Sequence, residues 1–453
     1  MTWQPLRGFR DILPPDAAHR AWITGTIRSV AQRAGFEEVE TPSVESLDLL
    51  KVKSGEAIVE ETFSFTDKGG REVTLVPENT PSVARLLASR AKAEPLPVKW
   101  VAFSKLWRYE EPQAGRTREF SQCSLDIFGV PGVEAELELL STSAAIFEEL
   151  GVPDEVVFRV NDRRLAQGLG TALGSQDPER LLRVLDRREK LSPEAFGQEL
   201  GEAGLTEEAR GRFFRLLEAV AAESSNREAL SRLEEETASW GLGEEAHAGL
   251  SSLKRLFALG AESGLEESWR FDPRLARGLA YYTATVFEAY DRRGEFRALF
   301  GGGRYDRLIE LFGGGPVPAC GLAIGDLTVE LLLRRAGRWP TTRRGPEVYV
   351  AVASADLKPR SRLLVHQLRR AGFSVEHDLM DRTLGRQMKE AARRGARTVV
   401  LLAPEELSRG EVVLRNMQTG QQEAVPFASV GARLPRGRSA PVEGEGGPAP
   451  PEG

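Results

Sequence analysis

Residues 98–110 read VKWVAFSKLWRYE and residues 118–129 read REFSQCSLDIFG, with the polar stretch EPQAGRT (111–117) between them. Two strand-like runs joined by a short charged loop predict a long antiparallel hairpin. Side chains alternate across a strand, so Phe120, Gln122, Ser124 and Asp126 share one face, and Arg108 and Glu110 share a face with Ser104 and Leu106. An aromatic ring followed on one face by an amide, a hydroxyl and a carboxylate makes a poor hydrophobic core and a good ligand floor. The same charges could instead close a structural ion pair between Arg108 and Asp126 or Glu110.

Upstream of the hairpin, Trp22, Ile23, Ile27, Val30, Ala31 and Ala34 predict an amphipathic helix ended by Gly35. FEEVETPSVE then reads as a short strand, ETFSFTDKGGREVTLVPE as two strands around a turn, and residues from about 80 to 89 as a helix. Downstream, a helix over 134–150 buries Leu139, Leu140, Ser143, Ile146, Phe147 and Leu150, and residues 165–265 form a helix-rich, charge-rich insertion. Strand character returns in LAYYTATVFEAYDRRGEFRALF, which sets Arg277 and Tyr281-Tyr282 on another strand, before GGGRYDRL, a helix near 306–312 and GLAIGDLTVELLLRR. The sheet of this large unit is expected to be antiparallel.

A Gly/Pro-rich linker spans 337–346, after which the pattern becomes strand, helix, strand, helix, strand. EVYVAVAS, a helix with Leu363, Leu364 and Leu368, FSVEHDL, a basic helix over 384–394 and RTVVLLA precede a hairpin turning at Thr419-Gly420. The expected division is a catalytic body over 1–336 with its insertion at about 165–265, the linker, a small α/β domain over 347–430, and a Pro/Gly-rich tail over 431–453 with no core of its own.

At 453 residues the chain exceeds one ordinary core, and 41% hydrophobic with 28% charged residues is globular composition. A net charge of -6 excludes a protein that coats nucleic acid through bulk charge, yet leaves room for docking on local arginine patches. Two cysteines, Cys123 and Cys320, exclude a disulfide scaffold and a Cys-rich zinc site, and the four histidines show no metal-ligand spacing. With no apolar run near the roughly 18 residues of a membrane span and no signal-like opening, a cytosolic protein is expected. GGGRYD is no P-loop, since no Gly-Lys-Ser/Thr follows, and GxSxG is absent. Glu78 and Thr80 lie at a strand-to-helix junction, where Thr80 could equally be a cap, and Arg277 can fork onto a phosphate or carboxylate. Arginine-led phosphate chemistry fits these residues best.

Several motifs together resemble the histidyl-tRNA synthetases. Gly8-Phe9-Arg10-Asp11 with Leu13-Pro14 resembles their opening motif, and Trp107 to Glu110 through Arg116, Arg118, Phe120 and Gln122 resembles motif 2. Leu275 to Tyr282 and Gly301 to Asp306 resemble the two histidine signatures, and residues 348–428 the anticodon-binding domain, including Glu405-Glu406-Leu407 and Gly410. The implied fold is an α+β class II synthetase catalytic domain, an antiparallel sheet flanked by helices with a helical insertion, followed by the α/β anticodon-binding-like domain. The implied activity is histidine–tRNA ligase: ATP, carrying Mg2+, activates L-histidine to the adenylate, which passes to the 3' end of tRNA(His), in a homodimer whose interface uses the opening motif.

By this resemblance Arg108 takes the α-phosphate, Glu110 and Phe120 the adenine, and Arg116 the terminal phosphates. Glu78, Thr80, Gln122 and Asp126 surround the histidine amino group, Tyr281 and Tyr282 bound the imidazole, and Arg277 lies by the carboxylate and α-phosphate. The basic helix with Arg382, Arg386, Lys389, Arg393 and Arg394 offers phosphate or anticodon contacts, or is solvated surface. Three positions depart from the usual bacterial pattern: Thr328 stands near the place of a motif 3 arginine, Val76 precedes Pro-Glu where an arginine is common, and Ala280 replaces an aspartate. The GLAYYT and Gly-Asp forms resemble a plant organellar-type branch. The alternative is a synthetase-like regulatory subunit of ATP phosphoribosyltransferase, which normally lacks the anticodon-binding domain.

Overall fold

Alternation along Glu119–Phe128 sorts its residues between two environments. Cys123, Leu125 and Ile127 sink into a large apolar core, while Ser124 and Asp126 are buried on the opposite face. The computed structural model describes residues 3–54, 56–90, 93–113, 115–188, 191–277, 281–339 and 345–435. They fall into two compact units, Met1–Trp339 and Pro340–Gly453.

The first unit is built on an eight-stranded sheet whose order is Glu37–Glu38, Val98–Trp107, Glu119–Phe128, Ala319–Gly325, Phe300–Arg304, Thr285–Asp291, Val156–Asp162 and Trp269–Phe271. The expected antiparallel pairing holds through the middle and fails at both ends. Glu37–Glu38 runs parallel to Val98–Trp107, and Trp269–Phe271 runs parallel to Val156–Asp162. Parallel neighbours need long crossovers, and the chain supplies them. A three-stranded sheet (Val44–Ser46, Glu72–Leu75, Ser64–Thr66) with helix Thr80–Arg90 forms one crossover, and the helical insertion forms the other.

Helices Pro14–Arg33, Glu134–Glu149 and Asp326–Arg335 bury Ile23, Ile27, Leu139, Phe147 and Leu332 against the back of the sheet. The insertion's helices start where short polar side chains meet apolar periodicity. Asp162, Asp177, Ser192, Thr206 and Ser225 each accept a backbone N–H at an N-cap. Across the front face, Val83 and Leu87 of helix Thr80–Arg90 pack with Trp100, Phe128 and Tyr305 in a second core.

A buried ion pair fastens helix Glu134–Glu149 to the sheet. Arg304, 4% exposed, donates through Nε and Nη2 to Glu136 at 2.7 and 2.5 Å, and to the carbonyls of Val130 and Gly132 at 2.9 and 2.7 Å. Burial opposes the guanidinium's charge, but the hydrogen bonds and field of Glu136 more than offset it, and Arg304 stays above the ordinary arginine range.

The second unit carries a five-stranded sheet ordered Val375–His377, Val348–Val352, Thr398–Leu402, Glu411–Asn416 and Gln422–Pro426, with the first three strands parallel. Helix Lys358–Arg370 buries Leu364, Val365 and Leu368, whereas Leu363, named among the helix's apolar residues, points to solvent. The expected tail bound of 431 does not hold, since Val430–Arg433 is helical and Leu434 packs into this unit's core; 436–453 lie outside the described residues.

Removing Arg304 leaves Glu136 buried without its cation. Arg304→Ala is expected to lower the unfolding free energy by about 3–5 kcal/mol, whereas exposed Arg232→Ala costs less than about 1 kcal/mol, read from urea denaturation. Equal, small losses for both variants would show that the pair is not structural.

Candidate active site

The site grows from sheet register. On the front face, Ser124 lies opposite Ala323, Ala323 opposite Gly301, and Gly301 opposite Glu288; the next row runs Asp126, Gly321, Gly303 and Val286. The middle of this floor is almost free of side chains. Over it opens a cavity of about 300 Å³ lined by Glu78, Thr80, Arg108, Glu110, Arg116, Phe120, Gln122, Arg277, Tyr281 and Tyr282, all of them sequence candidates. That volume lies in the range of small-molecule sites.

Gly301 is where bareness is required. A Cβ there would stand 1.5 Å from Nη1 of Arg277 and 2.6 Å from its Cζ, so the guanidinium lies directly on the backbone. Nη1 of Arg277 donates to Glu288 at 2.7 Å, and its carbonyl accepts from Arg163 at 3.3 Å. The Tyr290 hydroxyl donates to the same Glu288 carboxylate. Burial opposes the charge of Arg277, but Tyr282 and Glu288 hold it above the ordinary arginine range, so it stays a cation.

Arg277, Tyr281 and Tyr282 do not lie on a strand as expected, because the strand starts at Thr285. Consecutive strand side chains point to opposite faces, yet the rings of Tyr281 and Tyr282 approach to 4.5 Å on one side of the cavity. Burial raises both phenols, most strongly Tyr281, so this wall is neutral and hydrogen-bonding near pH 7. Gly278, Leu279 and Ala280 of the same signature lie outside the described residues.

The hairpin supplies the opposite wall. Its strand ends at Trp107, so Arg108 and Glu110 belong to the loop rather than to a regular strand face. Arg108 donates to the Pro77 carbonyl at 3.0 Å and lies 5.1 Å above the Phe120 ring, while its nearest Glu110 contact is 4.0 Å. The ion pair with Glu110 is made by Arg116 instead, at 2.5 Å. Arg118 donates its amide to Gly8 at 2.8 Å, and Phe9, Phe63 and Tyr109 stack edge-on at 5.9 and 5.2 Å, laying the opening motif against the hairpin.

Asn79, not Thr80, takes the cap position of helix Thr80–Arg90, its carbonyl accepting from Val83 at 3.1 Å. Its amide donates to Ser124 at 3.0 Å and accepts from Thr41 at 2.8 Å, pinning the Glu78–Thr80 turn to the floor. Asp126 is the one sequence candidate that does not line the cavity. It is buried one layer back and accepts the hydroxyl of Tyr305, which does line it.

Among the departures, Val76 is a buried packing residue outside the cavity lining, joined by backbone bonds to Ser43 and Trp107. Thr328 does line the cavity, and its hydroxyl reaches the Leu299 carbonyl at 3.4 Å. Sequence reading missed Glu288, Arg297 and Asp326 as cavity residues. Glu288 had a signal: a carboxylate between Phe287 and Ala289 in the middle of a buried strand. Both cysteines are buried and burial pushes their thiols up, so neither is a nucleophile. In the second unit the basic helix is partly neutralised. Arg393 and Arg394 hold Glu390 at 2.5 and 2.8 Å, drawing its carboxyl down to about 2, and Arg382 pairs with Asp378.

A site with fixed cations, neutral phenols and, among the described residues, no thiol in its lining suits the joining of two anions on a floor of backbone. The profile of the family described as Histidyl-tRNA synthetase matches residues 8–328, and that of the Anticodon binding domain matches 347–436. The histidine–tRNA ligase of Thermoplasma volcanium is 38% identical over 431 residues, covering 95% of this chain and 98% of that one. That of Natronomonas pharaonis is 40% identical over 427 residues, covering 94% and 96%. Both relatives are archaeal, and the expected likeness to a plant organellar-type branch finds no support in them. The crystal structure of histidyl-tRNA synthetase from Nostoc sp. PCC 7120 shares the fold, with a TM-score of 0.83 at 24% identity over 96% of this chain and 99% of that one. The chain belongs to the histidyl-tRNA synthetase family.

Proposed function

We propose that this chain is a histidine–tRNA ligase whose chemistry is carried by Arg277, seated on the bare backbone of Gly301 and held by Glu288. In the first step a carboxylate oxygen of L-histidine attacks the α-phosphorus of ATP, the bond to the bridging oxygen breaks, and pyrophosphate leaves. Two anions must meet while more negative charge spreads over the phosphate oxygens. Cations fixed beforehand lower that barrier without reorganising during the reaction. Arg277 would neutralise the carboxylate and α-phosphate from the sheet side, and Arg108, stacked on Phe120, from the hairpin side.

Glu110 and Phe120 would take the adenine and Arg116 the terminal phosphates. Glu78, Thr80 and Gln122 would hold the histidine amino group, with Asp126 acting through Tyr305, and the neutral Tyr281-Tyr282 wall would bound the imidazole. A hydrogen-bonding wall discriminates strongly, because a wrong side chain leaves buried polar groups unpaired. Mg2+ would arrive on the ATP phosphates as part of the substrate. In the second step the terminal ribose hydroxyl of tRNA(His) attacks the acyl carbon and AMP leaves.

We further propose a cytoplasmic homodimer. The opening segment leaves Trp3, Leu6 and Leu13 largely exposed, an apolar strip suited to a second copy. No described helix is long and apolar enough to cross a membrane. The 347–436 domain match supports the ligase over the regulatory alternative, which normally lacks that domain.

The purified chain is expected to catalyse histidine-dependent ATP–pyrophosphate exchange and then to charge tRNA(His). Exchange without charging would mean another acceptor, and absence of both would return the regulatory reading. Arg277→Ala should cut exchange by roughly a hundredfold or more, as loss of a preorganised charge stabiliser does. Gly301→Ala should produce a similar loss with an unchanged unfolding midpoint, since only the far end of Arg277 must move aside. Full activity in Gly301→Ala would show that this seat is irrelevant.

A further inference from the structure

Among the described residues four arginines line the cavity, and three of them are held from within. Arg116 is clamped by Glu110, Arg277 by Glu288, and Arg108 by the Pro77 carbonyl and the Phe120 ring. The fourth, Arg297, is exposed at the rim, and its guanidinium donates to the neutral amide oxygen of Gln113 at 3.2 Å. Among the described residues no carboxylate lies within 4.0 Å of it.

The loop that carries Arg297 is fixed at both ends. At one end, Asp291 accepts the amides of Glu295 and Phe296 at 3.1 and 2.9 Å. Arg335 clamps Asp291 and Glu295 at 2.6 and 3.0 Å and lies 4.8 Å over the Phe296 ring. At the other end, the Leu299 carbonyl accepts the Gly325 amide and the Thr328 hydroxyl, each at 3.4 Å. A short residue at 328 therefore does two things. It brings no charge of its own into the cavity, and it fastens the backbone two residues from Arg297. Gln113 pairs its backbone with Arg116 at 3.1 and 2.8 Å, which sets Arg297 beside the arginine assigned to the nucleotide's outer end.

We propose that Arg297 binds the β- and γ-phosphates of ATP, supplying from the loop over 292–299 the charge that Thr328 does not supply from its helix. A guanidinium whose loop is already ordered loses little entropy on forking onto phosphate, and a neutral amide partner is readily exchanged for an anion. This inference rests on the ligase reading of the cavity and adds the contact that holds the leaving pyrophosphate in line.

The test compares ATP with AMP, which lacks the outer phosphates. Dissociation constants for both are measured by calorimetry on the full chain, as wild type, Arg297→Ala and Arg297→Lys, alongside the KM for ATP in exchange. Arg297→Ala should weaken ATP by roughly tenfold to thirtyfold, leave AMP binding and the unfolding midpoint unchanged, and raise the KM more than it lowers kcat. Arg297→Lys should recover part of the ATP affinity, and adding Thr328→Arg to Arg297→Ala should recover part of it from the other side. ATP and AMP weakening together, or neither changing, would overturn the assignment. Loss of tRNA charging with ATP affinity intact would overturn it too, by moving Arg297 to the nucleic acid. Absence of exchange in the wild type would instead count against the ligase reading, with the ATP-to-AMP ratio still separately readable.

Discussion

The site depends on one close approach, a guanidinium resting on a strand that has no side chain beneath it. Gly301 leaves room for Arg277, Glu288 opposite it in the ladder fixes the group's direction, and Arg163 fixes its backbone. A lysine could fill the charge but not lie flat with several donors in a plane. The glycines of that stretch serve close packing beneath a ligand-facing cation rather than a phosphate-cradling turn.

Charge in this molecule is sorted by depth. The fully buried pair Arg304–Glu136 spends its hydrogen bonds internally and fastens helix Glu134–Glu149 to the sheet. The half-buried pairs Arg277–Glu288 and Arg116–Glu110 keep one side toward the cavity, where an incoming anion can share the cation. At the rim the partner is neutral. Moving outward, each arginine is held less firmly by the protein and is correspondingly more available to a ligand.

Much of this was legible in the sequence, for reasons that can be named. The hairpin's alternation reports two unlike faces, so the polar row Gln122, Ser124 and Asp126 could be separated from the apolar row from spacing alone, although only Gln122 of the three lines the cavity. The caps of the insertion announce themselves as Asp, Ser or Thr ahead of apolar periodicity. Tyr281 and Tyr282 misled because aromatic and β-branched residues favour strands, whereas here tertiary packing holds the rings together outside one. Asp126 looked like a ligand because its face was right and its depth invisible. Partners such as Glu136 and Arg304, separated by 168 positions, leave no local trace, and neither does the loop of Arg297. Val76 looked like a loss only by comparison with relatives; in the fold it is a packing residue between two sheets.

The two cysteines, idle in the chemistry, lie on adjacent strands of the same sheet, behind the floor and within the catalytic unit; the other unit has none. A thiol-specific reagent therefore reports on the opening of the synthetase body alone. Whatever the smaller domain does, the rate of sulfur modification follows the cooperative melting of the larger one, giving the molecule an internal clock for its own kinetic durability.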